Sequence, residues 1–212
     1  MLDCAAALAG VALFFPLGAL IAMAIKAHDG GPVFYSHARV GRNFIRFGLL
    51  KFRTMRPGAD REGGPVTVAN DPRVTRVGRL LRRYKLDELP QLINVLRGEM
   101  HLVGPRPESE RYVALFRAEY EKLLRHRPGI TDPATLAFRS EEEMLRGREA
   151  ERVYVEEILP RKLALSSQYF ENRTLLSDLR ILFETVIRIA RPLPLPETGS
   201  ASAGAMPGRD SL

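Results

Sequence analysis

The sequence has almost no cysteine. Cys4 is the single one among 212 residues, and it lies in an apolar stretch. No disulfide framework and no cysteine-based metal site can be built from one thiol. Reduced, cytoplasmic surroundings are therefore the default expectation.

The sequence also lacks the motifs of several common enzyme classes. Its histidines, His28, His37, His101 and His126, show no metal-ligand spacing. It has no glycine-rich phosphate loop of the P-loop or dinucleotide type, and no serine stands in a nucleophile-elbow context. Ordinary kinases, dehydrogenases and zinc enzymes are therefore poor fits.

What the chain does contain is positive charge, together with enough apolar residues for one packed domain plus appendages. The formal net charge is +7, and 45% of the residues are hydrophobic. The excess charge predicts an acidic partner, which leaves nucleic acid, an anionic membrane face and a nucleotide-type substrate open. The 17 glycines and 15 prolines argue against a simple helical bundle.

An uncharged stretch of 22 residues runs from Cys4 to Ile25. It is nominally long enough to span a bilayer, and it lacks the basic start of a cleaved signal peptide. Pro16 lies at its middle and removes one helical hydrogen bond, so the segment either anchors the chain across the bilayer or turns back within it. Positive charge concentrates after Lys26, which places the soluble part on the cytoplasmic side.

The pattern after this segment predicts a hairpin. Residues 32–55 read as short strands around a turn at residues 41–43. Lys51 and Arg53 flank Phe52, so the alternation of a strand would put both cations on one face.

Two helices are predicted in the middle of the chain. Residues 56–73 read as a loop that is able to cover a substrate. Thr75 then caps a helix with one apolar side and a basic remainder. A second helix begins near Asp87, which is well placed as its cap because Pro90 is tolerated in a first turn. This second helix stops at Gly98.

Three further segments complete the prediction of structure. A charged helix covers roughly Ser109 to Arg125. The apolar stretch from Leu175 to Ala190 suits a helix lying at a membrane surface. Residues 192–212 have little to bury and are predicted to be a disordered tail.

An adjacent pair of acids, Asp87 and Glu88, follows a stretch from Arg76 to Lys85 that is basic and free of acids. In the ordinary interpretation Asp87 only caps a helix and Glu88 is a solvated first-turn acid. In the functional interpretation the pair supplies a nucleophile and oxygen ligands for a divalent cation. Nearby cations would then offset the repulsion between carboxylate and phosphate, which is roughly 4 kcal/mol per pair of unit charges at close range.

Four cations are candidates to contact a substrate phosphate. Arg82 lies five residues before Asp87. Arg106 lies on the stiff backbone of a Gly-Pro-Arg-Pro run, which suits bidentate contact. The alternative for Arg106 is an ion pair with Glu99 or Glu108. The full set of candidates is Lys51, Arg53, Arg82 and Arg106.

Several stretches resemble the bacterial sugar transferase family, the monotopic phosphoglycosyl transferases that start glycan assembly on a polyprenol carrier. They are PVFYSHARVGRN, LLKFRTM, DPRVTRVGRLLRRYKLDELPQLINVLRGEM, LVGPRPE, RPGIT and SDLRILFETV, in the family's order across roughly Phe14 to Arg191. DELPQLINVLRGEM followed closely by VGPRP is the most specific part. Ser166 stands where the family often has an aspartate, and Asp178 matches a later acid of its pattern.

The resemblance implies a reaction in two displacements with Mg²⁺ present. The carboxylate at Asp87 attacks the sugar-bearing phosphate of a UDP-sugar, releases UMP and leaves a covalent phosphosugar on the enzyme. Polyprenyl (undecaprenyl) phosphate then accepts the phosphosugar and becomes a polyprenyl diphosphate sugar. Asp87 and Glu88 would support the metal, Glu88 alternatively acting as a base, while the four cations offset phosphate charge.

The resemblance also implies an α+β, mostly helical fold: a re-entrant membrane helix broken at a Ser-Pro pair, a small β-hairpin, and amphipathic interfacial helices around a compact catalytic domain. Here the proline is Pro16, and Phe15 stands in the serine place. Residues 1–26 would be the membrane-inserted helix, and residues 27–191 the catalytic domain on the cytoplasmic face of the bacterial inner membrane.

The expected partners are a UDP-sugar, polyprenyl phosphate and an anionic membrane surface, without nucleic acid. A homo-oligomer is left open. Two other functions also stay open on the residues alone. One is a basic membrane-anchored adapter without catalysis, and the other is a metal-dependent phosphohydrolase that uses the same carboxylates without a lipid acceptor.

Overall fold

The first element of the computed structural model, which describes residues 2–59, 62, 66–145 and 149–190, is a long apolar helix. This helix, α1, covers the 28 residues Leu2–Asp29 and continues through Pro16. Among the described residues it alone is long and apolar enough to cross a membrane, with a mean hydropathy of 2.4 over its most apolar window. Only 11% of that window is buried against the protein. The predicted apolar helix is confirmed, and its path in a bilayer stays a prediction.

The predicted hairpin is also confirmed. β1 covers Phe34–Val40 and pairs antiparallel with β2, which covers Arg46–Phe52. Val40 lies opposite Arg46 at the closed end, where Asn43 adopts a left-handed conformation with φ 54°. Asparagine tolerates that conformation better than most residues, so the local sequence favours this turn.

α2 covers Arg76–Arg83, carries much of the basic run and begins as predicted. The Thr75 hydroxyl accepts a hydrogen bond from the Gly78 backbone N–H at 2.9 Å, which is an ordinary N-cap. The backbone N–H of Thr75 donates to the Thr54 carbonyl oxygen at 2.9 Å. These bonds hold α2 against the segment that leaves β2.

Gly78 sets how closely α2 approaches that segment. A Cβ on this residue would stand 2.0 Å from the Thr54 carbonyl oxygen. We expect Gly78→Ala to lower the free energy of unfolding by about 1–3 kcal/mol, because a close backbone contact must open. Gly18→Ala is the control, since a Cβ there meets Phe52 Cζ at an ordinary 3.7 Å. Denaturant unfolding in detergent checks the difference, and equal stabilities of the two variants would contradict it.

The helix predicted to start at Asp87 starts later, so the prediction that Asp87 caps it is wrong. A 3₁₀ turn covers Leu86–Glu88, and α3 covers Gln91–Leu96. A cap at Asp87 would use the N–H groups of the residues two and three positions later. The Leu89 N–H already bonds within the 3₁₀ turn at 3.3 Å, and Pro90 has no N–H to donate.

The charged helix predicted over residues 109–125 is two helices. α4 covers Glu110–Leu115 and α5 covers Arg117–Leu123, with a break at Phe116, where φ is −121° and ψ is 44°. Phe116 packs against the largest buried cluster of the protein. That tertiary contact outweighs the local preference for one continuous helix.

The remaining elements form the C-terminal half. They are β3 His101–Val103, β4 Gly129–Thr131, α6 Pro133–Ala137, α7 Glu141–Met144, α8 Ala150–Val153, a π-helical turn Tyr154–Ile158, α9 Leu159–Glu171 and α10 Leu175–Ala190. β3 and β4 pair in parallel. α10 confirms the helix predicted there, and its exposed apolar side chains include Leu176 and Phe183, as expected of an interfacial helix. The tail predicted at residues 192–212 lies outside the described residues.

Buried contacts attach α1 to the elements on either side of Asp87. Ala7 packs with Leu49 of β2 and Val95 of α3. Gly10 allows α3 to come close, since a Cβ there would lie 3.1 Å from Leu92 Cδ1. A second cluster joins the C-terminal part of α1 to β2 and α2. The apolar helix α1 and the acid pair therefore belong to one packed body.

Candidate active site

Asp87 lies in the 3₁₀ turn before α3 and is nearly buried, with 5% of the residue exposed. Its Oδ1 atom has no hydrogen-bond partner in the part of the chain that the structure describes. Buried polar atoms are ordinarily paired, and leaving one unpaired costs about 1–3 kcal/mol. Asp87 thus keeps a carboxylate oxygen that is not engaged by the surrounding protein, as a nucleophile requires.

Glu88, by contrast, is fully engaged by cations. Its Oε1 accepts a hydrogen bond from Lys51 Nζ at 2.9 Å, and its Oε2 accepts one from Arg106 Nη1 at 2.9 Å. Arg106 Nη2 also contacts Oε1. Burial alone would raise the pKa of the Glu88 carboxyl, but Arg106 and Lys51 outweigh burial and hold that pKa well below its ordinary value. So low a pKa makes Glu88 a weak base.

Lys51 and Arg106 reach Glu88 from distant parts of the chain. Lys51 is on β2, and Arg106 follows β3. Burial lowers the pKa of Lys51, and the charges of Glu88 and Asp87 oppose that fall. Burial also acts to lower the pKa of Arg106, but Glu88 raises it above its ordinary value. The three side chains form a partly buried cluster with two cations and one carboxylate, and Glu88 adjoins Asp87 in the sequence.

The backbone around Arg106 is fixed by a close approach of two glycines. The Gly104 N–H donates to the Thr131 carbonyl oxygen at 3.1 Å. A Cβ on Gly129 would stand 2.0 Å from Gly104 N, so neither glycine has room for a side chain. With prolines on both sides, Arg106 is held on stiff backbone, as the sequence predicts.

The ion pair considered for Arg106 with Glu99 or Glu108 is wrong, because both acids have other partners. Glu99 accepts a hydrogen bond from Asn94 at 2.6 Å. Glu108 accepts one from Arg39 at 2.9 Å and one from the Tyr154 hydroxyl at 2.6 Å. Glu108 therefore anchors the far side of the Pro-Arg-Pro segment to β1 and to the π-helical turn.

The structure does not bring Arg53 to the acid pair. Arg53 is 7% exposed, pairs with Asp29 at the end of α1, and donates from Nε to the Pro32 carbonyl oxygen at 2.6 Å. The expectation that Lys51 and Arg53 share one site fails because the Arg53 guanidinium pairs with Asp29, whereas Lys51 pairs with Glu88.

Arg82 lines a cavity together with Lys85, which precedes Asp87 by two residues. Its Nε donates to the Thr54 hydroxyl at 2.9 Å, and its Nη1 donates to Glu142 at 2.8 Å. The cavity measures about 250 Å³, and its lining includes Asp71, Arg79, Arg82, Lys85, Ser140 and Glu142. The charge of Lys85 also helps to lower the pKa of Glu88, after the larger effects of Arg106 and Lys51.

Comparison with known proteins decides the family. The family model described as bacterial sugar transferase matches residues 1–192. The chain belongs to the bacterial sugar transferase family. It is 40% identical over 199 residues to the exopolysaccharide production protein ExoY of Rhizobium meliloti, covering 87% of this chain and 81% of that protein.

Two other relatives have names that state a reaction. This sugar transferase is 41% identical over 192 residues to the UDP-glucose:undecaprenyl-phosphate glucose-1-phosphate transferase of Caulobacter vibrioides, covering 88% of this chain and 67% of that protein. It is 35% identical over 192 residues to the UDP-N-acetylgalactosamine-undecaprenyl-phosphate N-acetylgalactosaminephosphotransferase of Aeromonas hydrophila, covering 87% of this chain and 42% of that protein.

Two residues noted for their place in the family pattern have structural partners in this sugar transferase. Ser166 donates a hydrogen bond to Asp132 Oδ2 at 2.5 Å in a fully buried setting. Asp178 pairs with Arg173 at 2.7 Å and accepts a hydrogen bond from the Tyr169 hydroxyl at 2.7 Å. These contacts tie α9 to α6 and to α10.

The carboxylate oxygens available in this sugar transferase suit Mg²⁺ binding at Asp87 but not at Glu88. No group of three or more His, Cys, Asp or Glu side chains able to hold a metal occurs within the described residues. Both Glu88 oxygens are occupied by Lys51 and Arg106, whereas Asp87 Oδ1 is unengaged. Mg²⁺ is commonly held by one or two carboxylates together with substrate phosphates, and Asp87 meets that requirement.

Three residues of the site were not predicted from the sequence. Lys85 and Glu142 line the cavity, and Gln91 is fully buried four residues after Asp87. Gln91 carries a signal that sequence reasoning can use, because residues four apart lie on one face of a helix. Glu142 carries none, since it meets Arg82 only through the tertiary fold.

Proposed function

We propose that this sugar transferase moves a sugar 1-phosphate from a UDP-sugar to undecaprenyl phosphate. Family membership and the names of the relatives support the reaction class. The observation that carries the proposal is the buried Asp87, with an unpaired oxygen beside the cluster of Lys51, Glu88 and Arg106. The relatives' names specify glucose in one case and N-acetylgalactosamine in another, so the assay takes a panel of UDP-sugars.

Asp87 acts as the nucleophile in two displacements. In the first, a carboxylate oxygen attacks the phosphorus that bears the sugar, and the bond from that phosphorus to the bridging oxygen of the diphosphate breaks. UMP leaves with the electron pair, and an acyl phosphate joins Asp87 to the sugar phosphate. In the second, an oxygen of undecaprenyl phosphate attacks the same phosphorus, and the bond to Asp87 breaks. The carboxylate is regenerated, and the product is undecaprenyl diphosphate sugar.

Glu88 holds Lys51 and Arg106 in place beside the reacting phosphate. Two cations against one carboxylate leave the cluster with one net positive charge, which offsets the repulsion between Asp87 and an anionic substrate. This role replaces the base and metal-ligand roles first considered for Glu88. When bound, Mg²⁺ would be held by Asp87 and diphosphate oxygens and would neutralise phosphate charge.

The cavity lined by Arg82 and Lys85 receives the nucleotide part of the substrate. Its lining includes the cations Arg79, Arg82 and Lys85, which suit a diphosphate. Residues 68–71 of the loop predicted to cover a substrate also line this cavity. Arg82 and Lys85 are thus assigned to nucleotide binding, and Arg53 is assigned to the attachment of α1.

Glu142 competes with the nucleotide for Arg82, because the two side chains pair at 2.8 Å. We expect Glu142→Gln to lower the KM for the UDP-sugar by about 2–5-fold with kcat unchanged, the size expected for a partly exposed ion pair. Glu141→Gln is the matched control, since Glu141 pairs with Lys162 instead. A raised KM in Glu142→Gln would show that Glu142 helps to bind the substrate.

The proposed membrane arrangement uses α1 and α10. α1 enters the bilayer as a re-entrant helix bent at Pro16, and both of its ends lie on the cytoplasmic face. α10 lies on the same face with its exposed apolar side chains in the headgroup region. This arrangement places Asp87 where both a soluble nucleotide and a lipid phosphate reach it.

The reaction is tested by omitting the lipid acceptor. Purified protein with Mg²⁺ and a UDP-sugar should release one equivalent of UMP per active site and gain the mass of one sugar phosphate on Asp87. Adding undecaprenyl phosphate should remove that mass and start turnover. Release of free phosphate or free sugar phosphate without the lipid would favour a phosphohydrolase. Salt-sensitive binding without UMP release would favour an adapter.

A further inference from the structure

Gln91, the first residue of α3, is fully buried, yet neither Nε2 nor Oε1 has a hydrogen-bond partner among the described residues. The described part of the chain has five buried side-chain atoms in this condition, and three of them belong to Asp87 and Gln91. Buried amides ordinarily pair both ends. The unpaired atoms are therefore concentrated at the proposed nucleophile.

The backbone puts the two residues on one side of the chain. Leu89 and Pro90, which separate the 3₁₀ turn from α3, both have right-handed helical φ and ψ. The 3₁₀ turn and α3 are thus joined by two residues in a helical conformation. Residues four apart along such backbone lie on the same side of the chain, so Asp87 and Gln91 start from the same side.

Packing alone does not account for an amide at this position. Asn94, one turn further along α3, is equally buried, and all its polar groups are used. Its Oδ1 accepts from the Leu50 N–H at 3.0 Å, and its Nδ2 donates to the Gly48 carbonyl oxygen at 2.8 Å. A residue needed only to fill space at position 91 would be apolar, because burying an unpaired amide is unfavourable.

We propose that Gln91 is a positioning residue for Asp87, an inference that rests on the proposed nucleophilic role of that aspartate. When the UDP-sugar docks, Gln91 Nε2 donates a hydrogen bond to the Asp87 carboxylate. The bond fixes the rotation of the carboxylate, so that the attacking oxygen is aligned with the phosphorus. A neutral amide suits this task, because it orients the carboxylate without cancelling its charge as a second arginine would.

Gln91→Met tests the proposal, because it keeps the approximate volume and removes both polar atoms. We expect the melting temperature of the ligand-free protein to rise by about 2–6 °C, since two unpaired atoms leave the interior. The single-turnover rate of UMP release should fall about 10–100-fold through loss of alignment. The dissociation constant of the UDP-sugar should change by less than about 2-fold, because the bond to Asp87 serves attack rather than binding. Gln91→Leu repeats the test with another apolar side chain.

Asn94→Leu is the matched control in the same helix. It removes a buried amide whose hydrogen bonds are all made, so its melting temperature should fall. Below that temperature its single-turnover rate should stay within about 2-fold of wild type. A melting temperature that rises in Gln91→Met and falls in Asn94→Leu would show that Gln91, unlike Asn94, is not there to stabilise the fold.

Several results would overturn the proposal. An unchanged single-turnover rate in Gln91→Met would do so, as would a lower melting temperature together with weaker UDP-sugar binding. A higher Mg²⁺ concentration for half-maximal rate would instead make Gln91 a ligand of the cation. Wild-type protein that forms no adduct on Asp87 would refute the proposed function itself. A wild-type adduct that forms equally fast in Gln91→Met would refute only the positioning role.

Discussion

Asp87→Asn should give a folded protein that releases no UMP and acquires no phosphosugar. An amide does not form the acyl phosphate, so the single-turnover rate should fall by about 10⁴-fold or more, the scale on which removing a catalytic nucleophile acts. Intact-protein mass after incubation with the UDP-sugar measures the adduct, and UMP release measures the rate. Near-wild-type UMP release by this variant would eliminate Asp87 as the nucleophile.

The stability of Asp87→Asn distinguishes lost chemistry from lost folding. Asp87 is nearly buried with an unpaired oxygen, and a neutral amide is less costly to bury than a carboxylate. The variant should therefore be at least as stable as wild type. Asp178→Asn provides the contrast, because it breaks the ion pair with Arg173. It should lower stability and still form the adduct.

Arg106→Met should lower both the rate and the stability. In the proposed mechanism Arg106 contributes one of the two cations beside the reacting phosphate, and losing such a group typically costs about 10²–10³-fold in rate. It also pairs with the partly buried Glu88, and breaking a fully buried ion pair costs about 3 kcal/mol, which is an upper bound here. Single-turnover UMP release and denaturant unfolding measure the two effects.

A second substitution separates the two effects of Arg106→Met. In the double variant, Glu88→Gln also removes the carboxylate that has lost its ion pair with Arg106. Stability should therefore recover in part, while the rate of UMP release stays low. Arg39→Met is the matched control, since Arg39 pairs with Glu108 at 2.9 Å away from the acid pair. It should lower stability with little effect on the rate. A double variant that recovers its rate would show that Arg106 serves only to neutralise Glu88.

Features fixed by neighbouring residues were predictable. The Thr75 cap needs only the N–H of Gly78 three residues later. The apolar helix α1 follows from composition. In each case the interactions that decide the structure lie within a few residues of one another.

Features fixed by distant residues were not predictable. Glu88 was first considered as a metal ligand or a base, but Lys51 comes from 37 residues before it and Arg106 from 18 residues after it. Arg53 was grouped with Lys51 by strand alternation, yet its partner is Asp29 in the preceding helix. The order of neighbouring residues in the sequence was enough to identify the acid pair. What Glu88 contacts is determined by residues that are distant in the sequence.

The packing of α1 onto α3 through Gly10 and Leu92 has a consequence for the meeting of two substrates from different phases. In the proposed reaction the donor is dissolved in water, and the acceptor phosphate is confined to the membrane plane by its lipid chain. With α1 in the bilayer, as proposed, its packing against α3 fixes the height of the Asp87 carboxylate above that plane. The acceptor then needs to search in only two dimensions.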